Sequence, residues 1–303
     1  MLTKELTMQL QRKHKDWMWA YFFIAPTVLG LYLFFLYPMV HSVFISFTKW
    51  NHLSSPQFIG LENYKRLFQD ATIFLEFKNT MFFVLVSVPL TVGISLFLAN
   101  ALNKKHLFGK GTFRTIFFLP YVILPVITAQ IFMIVFNSRY GLVNGLLRLV
   151  GLPQPAWFSN AILTRFVIVL VTLWANIGYF TVILLAGLQN ISTQYYEACD
   201  IDGGSWWVKF IHITFPLVTP QLFFCLVLSI INSFKMFDYI FVFGKSNVIV
   251  RENIRTMAFG IYERGFTYLE MGYASAEAII FSVIVLTITI LQNFGQKHWV
   301  HYS

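Results

Sequence analysis

Six runs of mostly apolar residues, at 19–40, 80–102, 115–136, 166–188, 216–237 and 272–292, set what this chain can become. Coiled as a helix, each is long enough to cross the roughly 30 Å hydrocarbon layer of a bilayer. Helix is the form that lipid demands, because an unpaired backbone N–H or C=O finds no water there. Composition agrees: 57% of the 303 residues are hydrophobic and 12% are charged, about half the charged share of a soluble domain. The first run carries Pro26 and Pro38. It exceeds the apolar core of a signal peptide and has no small-residue cleavage site, so it is expected to stay as a span. The expected fold class is an all-α membrane protein with six transmembrane helices.

The net charge of +9 needs no nucleic acid, since basic residues beside spans meet lipid head groups and set topology. The tail at 1–18 carries Lys4, Arg12, Lys13 and Lys15, and the short turn after the second run carries Lys104, Lys105, Lys110 and Arg114. That density points both to the cytoplasm. Six crossings bring the tail at 295–303, with Lys297 and His298, to the same side. The segments 41–78, 137–163 and 238–270 are longer and more polar. No P-loop, tandem repeat or soluble domain is visible, so any ATP chemistry is expected on another polypeptide. Cys199 and Cys225 lie in dissimilar surroundings, and no His or carboxylate cluster has metal spacing; neither a metal nor catalysis is expected.

The one patterned polar segment, 193–216, reads as helix, tight turn, helix. Thr193 can cap the first helix, and Gly203-Gly204 can end it through a left-handed turn. Ser205 can cap a second helix over 206–213, expected to stop before Pro216. An amphipathic helix lying on the membrane explains the tryptophans, but not Glu197, Gly203 and Pro216 at their offsets. Glu197-Ala198-Cys199, then Gly203, then Ile213-Thr214-Phe215-Pro216 resembles the EAA loop of binding-protein-dependent ABC importer permeases. Cys199 and Phe215 replace the family's Ala and Leu.

The resemblance covers nearly the whole chain. Phe34 to Pro38 with Ser46 to Trp50, Phe58 to Tyr64, Phe113 to Pro120, Leu173-Trp174, Leu185 to Gln189 and Phe237-Asp238 are similar to the carbohydrate branch, of the maltose and glycerol-3-phosphate importer type. Where that branch often has Gly-Gly-Gly-Pro, this chain has Gly244-Lys245-Ser246-Asn247. The resemblance implies a type I importer permease domain over 19–294 in a bacterial cytoplasmic membrane, with a cytoplasmic coupling loop. It implies that Glu197, Ala198, Asp200, Gly203, Trp207 and Pro216 dock an ATPase. It also implies a second homologous permease, two ATP-binding subunits that hold ATP and Mg, identical or different, and an extracytoplasmic solute-binding protein. This chain would bind no cofactor and carry a sugar or oligosaccharide. Glycerol-3-phosphate or a polyol is the alternative cargo, and an ion-coupled secondary transporter the alternative class.

For the substrate path, Ser229, Asn232, Ser233 and Met236 follow i, i+3, i+4, i+7 spacing and share a helix face. Asn176 and Tyr179 lie one turn apart near Trp174. Amides, hydroxyls and aromatic faces suit a sugar, and in maltose-type permeases the cargo lies against these parts of the spans. The same Ser and Asn could instead bond neighbouring helices. Three ionisable groups stand at membrane depth or its edge: Lys235, Asp238 and Glu277. Lys235 and Asp238, at i and i+3, are expected to pair with each other. Glu277 is expected either on the cavity wall or at the partner permease.

Overall fold

The computed structural model describes residues 2–104, 108–297 and 299–300; of residues 2–16 and Ser246 it describes the backbone only. Lys105 and His298 therefore lie outside the described residues, as do the side chains of Lys4, Arg12, Lys13 and Lys15. Among the described residues, five helical stretches are long and apolar enough to cross a membrane, and a sixth if one bent pair counts as a crossing. The chain divides into two units, residues 1–67 with 264–279 and residues 68–263 with 280–303.

In the first unit, α1 (Leu2–Leu31) continues through a π-helical turn, Tyr32–Leu36, into α2 (Tyr37–Ser46). Neither Pro26 nor Pro38 stops it, and the apolar stretch runs Trp17–Ser46, past the expected end at 40. Proline lacks the N–H of the helix ladder and crowds the carbonyl four residues back. The π turn widens the helix just before Pro38, with the Tyr37 N–H reaching the Tyr32 carbonyl. Two short antiparallel strands follow, β1 (Thr48–Lys49) and β2 (Gln57–Phe58). The helix α3 (Glu62–Gln69) locks them, since Asn63 donates to the carbonyls of Ser46 and Thr48 at 2.8 and 2.9 Å. A Cβ at Gly272 would overlap the Thr48 carbonyl, so only glycine lets that backbone approach.

The second unit is a packed bundle. Its long helices are α4 (Ala71–Leu102), the pair α5 (Lys110–Val122) and α6 (Pro125–Val135), and, after the short α7 (Leu142–Leu149), α8 (Ala161–Gln189). Asp70 and Asn160 cap α4 and α8, accepting from backbone N–H groups at 2.9 and 2.8 Å. α5 and α6 diverge by 99°, so the run expected as one span over 115–136 is two helices with a sharp bend between them. The break has a local cause: Pro125 excludes Leu124 from the helical region, and Ile123 and Leu124 have ψ of 134° and 133°.

After the loop helices α9 (Thr193–Ile201) and α10 (Trp206–Lys209), a π turn at Phe210–Thr214 leads into α11 (Phe215–Phe234), and α12 (Asp238–Phe243) follows. Pro216 thus repeats the solution seen at Pro38, with the Phe215 N–H reaching the Phe210 carbonyl across a widened turn. The helix does not stop before Pro216 as expected; it continues. α13 (Val248–Ile254), α14 (Met257–Tyr262) and α15 (Met271–Gln296) complete the chain.

One apolar core lies between α4, α8 and α11, around Val88, Val92, Phe180, Leu184, Val218 and Phe234. A second surrounds Phe83, Ile168, Ile240, Phe243 and Ile254. Small residues let the helices close up: a Cβ on Gly178 of α8 would overlap the Phe117 carbonyl of α5, and Ser95 of α4 donates to the Ile177 carbonyl at 3.0 Å.

Candidate functional site

The polar loop folds as helix, turn, helix. Ser192, not Thr193, caps α9, its Oγ accepting from the Gln194 N–H at 3.4 Å; Thr193 is already the first helical residue. Gly203 sits at φ +73°, a left-handed value that glycine takes without strain. The Gly204 N–H then bonds back to the Cys199 carbonyl at 2.8 Å, ending the helix. Ser205 occupies the cap position of α10 but its side chain makes no capping bond.

Lys209 of α10 pairs with Asp200 of α9, and the Tyr196 hydroxyl meets the Thr214 hydroxyl at 3.0 Å, so the two arms are tied. Ile201, Trp206 and Trp207 are exposed at the tip, an apolar patch of the kind that seeks a partner. Glu197 and Ala198 are exposed beside them, and Pro216 is half-buried at the root of α11. Among the described residues Glu197 has no ion-pair partner. A groove of about 590 Å3 runs along the loop, lined by Glu197, Asp200, Trp206 and Lys209 together with Asn103 and Lys104 at the end of α4.

A second concavity, about 190 Å3, opens within the same unit. Ser229, Asn232 and Ser233 from the end of α11, and Met236 in the break just beyond it, line it with Asn176 and Thr172 of α8. The shared face expected of the helix holds for Ser229, Asn232 and Ser233; Met236 reaches the cavity from beyond the helix end, not from that face. Asn176 donates to the Thr172 carbonyl at 2.8 Å and keeps its amide oxygen for other use. Tyr121 forms part of the wall, and Tyr179 stacks flat behind it with ring centroids 4.2 Å apart. Tyr179 thus backs the wall without lining it. Trp174 packs against Phe132, centroids 5.3 Å apart, and also stands off the cavity.

Two ionisable groups belong to the cavity and one does not. Lys235 and Asp238 both line it. Their expected mutual pairing fails because no continuous helix joins them: α11 ends at Phe234, and Phe237 at φ −126° leaves the helical range before Asp238 begins α12. Among the described residues neither has an ion-pair partner or a side-chain hydrogen bond. Glu277 is wholly buried in the first unit, where its Oε2 accepts from Arg264 Nη1 at 2.7 Å.

Near the other end of α4 the structure reveals a charged cluster that the apolar-run reading missed. Arg255 meets Glu76, Glu252 and Glu263 at 2.7, 2.6 and 2.9 Å. Burial alone would favour its neutral form, but Glu76, then Glu252 and Glu263, hold its pKa above the ordinary guanidinium range. Beside it, Arg165 donates to Asn79 and to the Asn253 carbonyl, both at 2.7 Å, and Asn79 donates to the carbonyls of Asn253 and Arg255.

Comparison with known proteins places these features. Residues 91–299 match the family described as "Binding-protein-dependent transport system inner membrane component". The "Probable ABC transporter permease protein YesP" of Bacillus subtilis (strain 168) is 35% identical, over 95% of this chain and 94% of its own length. The "Arabinooligosaccharides transport system permease protein AraP" of the same organism is 32% identical, over 89% and 86%. A chain in the crystal structure of a bacterial alginate ABC transporter, in complex with an alginate pentasaccharide-bound periplasmic protein, has the same fold, with a TM-score of 0.85 at 23% identity. That match covers 95% of this chain and 96% of the other.

Proposed function

The chain belongs to the binding-protein-dependent transport system inner membrane components, and on that premise we propose that it carries a sugar or oligosaccharide across the membrane, driven by ATP held in partner subunits. One observation supports this most: the coupling loop and the cavity share an unbroken helical path. The path leaves the loop at Trp206, passes Pro216 through the π turn, and delivers Ser229, Asn232 and Ser233 to the cavity wall. A push on the loop is then a push on the wall. Rigid elements of this sort carry a two-state change from one site to another.

In this reading Glu197, Ala198, Asp200, Gly203, Trp207 and Pro216 form or support the docking surface for an ATP-binding subunit. Two such subunits hold ATP and Mg, a second homologous permease completes the path, and an extracytoplasmic binding protein delivers the cargo. The loop then lies in the cytoplasm with both termini. This chain makes and breaks no covalent bond. The cargo class follows from the wall: amides, hydroxyls and a rigid aromatic face match sugar oxygens and C–H patches, and the relative AraP bears an arabinooligosaccharide name.

The test is Glu197→Ala in the assembled complex. Uptake is expected to fall sharply while the chain still inserts and assembles with the second permease. Full uptake by that variant contradicts the coupling role.

A further inference from the structure

Resting on the cargo-path reading of the cavity, we propose that Lys235 reads a carboxylate on the cargo, so that the cavity takes a uronate-bearing oligosaccharide rather than a wholly neutral one.

Lys235 caps the C-terminal end of α11 with an exposed side chain on the cavity wall. Asp238, the nearest carboxylate in sequence on that wall, belongs to the next helix, and the break at 235–237 keeps the two from pairing. The ammonium of Lys235 is open to the cavity and able to meet a ligand there. Among the described residues no carboxylate pairs with it. A cargo carboxylate would, through a charge-assisted hydrogen bond.

The rest of the wall limits the choice of anion. Asn176, Asn232, Ser229 and Ser233 are neutral and suit hydroxyls. Asp238, when ionised, only accepts, so it also suits sugar hydroxyls and opposes a high negative charge. One cation facing one carboxylate matches a singly charged uronate. A phosphate dianion calls for several cations or a bidentate guanidinium, and neither lines this cavity. Tyr121, held flat by Tyr179, offers the C–H face of a pyranose a rigid wall.

Cellobiouronate, a disaccharide with one carboxylate, and its neutral methyl ester are probes of nearly equal shape and different charge. Their binding to the purified permease complex, without its binding protein, can be followed by saturation-transfer NMR. The acid is expected to bind about tenfold or more tighter than the ester, as a hydrogen bond to a charged group allows. Lys235→Gln should bring the acid down to the affinity of the ester, and Lys235→Arg should restore part of the difference. Equal binding of the two probes to the wild type, or an unchanged preference in Lys235→Gln, overturns the proposal. Asn232→Ala separates this from failure of the cavity itself: if it still weakens the ester, the cargo path stands and only the charge reading falls. Binding of neither probe overturns the proposal as well.

Discussion

Arg255 and Glu76 meet as a buried ion pair, Nε to Oε1 at 2.7 Å, with side chains 5% and 0% exposed. Their approach is close but poorly directed as a hydrogen bond, so the attraction is mainly that of charge. Glu252 and Glu263 close on the same guanidinium, so one side chain ties α13 and the segment after α14 to the first turns of α4.

Removing that cation strands carboxylates in a buried place. Arg255→Met is expected to destabilise the protein by about 3–5 kcal/mol. Adding Glu76→Leu should recover part of the loss, because it removes one stranded charge. Thermal unfolding in detergent measures both. The raised pKa of Arg255 also sets a sign: its contribution is present below the ordinary guanidinium pKa and is lost only as pH rises through the still higher folded value. Mild alkali should therefore leave the cluster intact.

At the coupling loop, Gly204 has no room for a side chain, since a Cβ there would overlap the Cys199 sulfur. Gly204→Ala should reduce uptake while leaving membrane insertion normal. Adding Cys199→Ala takes away the obstructing sulfur and should restore part of the uptake, since the Cys199 carbonyl stays 3.0 Å from the added methyl. A transport assay on the single and double variants checks this.

Gly178 tests the packing of α5 on α8. Gly178→Val drives side-chain atoms into the Phe117 carbonyl and should sharply lower the yield of monodisperse protein. Gly93 faces open space, so Gly93→Ala should be tolerated and, in a helix interior, gain up to about 1 kcal/mol. Size-exclusion profiles of the two variants make the comparison.

At the cavity, Asn232→Ala should lower uptake without weakening assembly of the complex, because Asn232 is exposed on the wall and holds no neighbouring helix. Uptake by an assembled complex is the readout.

The spans were legible because lipid leaves a chain few options, and long apolar runs then mean helices. The turn at Gly203 was legible because left-handed backbone selects glycine. Other features were hidden for physical reasons. Pro26, Pro38 and Pro216 look like breaks in sequence, yet π widening before two of them keeps the helix going. The i, i+3 spacing of Lys235 and Asp238 implies a pair only if the helix persists, and the apolar residues Met236 and Phe237 give no sign that it ends. Glu76 lay just before the second apolar run, so its burial against Arg255 depended on a fold that local pattern cannot report. Glu277 carried the correct signal, a charge at membrane depth, but its partner Arg264 lay in a polar loop.

The most direct measurement is gentle detergent extraction of the tagged chain from its native membrane, with mass spectrometry of whatever accompanies it. The account predicts a second homologous permease and a P-loop ATPase in the same particle, the ATPase lost in Glu197→Ala. A chain that emerges alone, binds a substrate and transports it without an ATPase contradicts it.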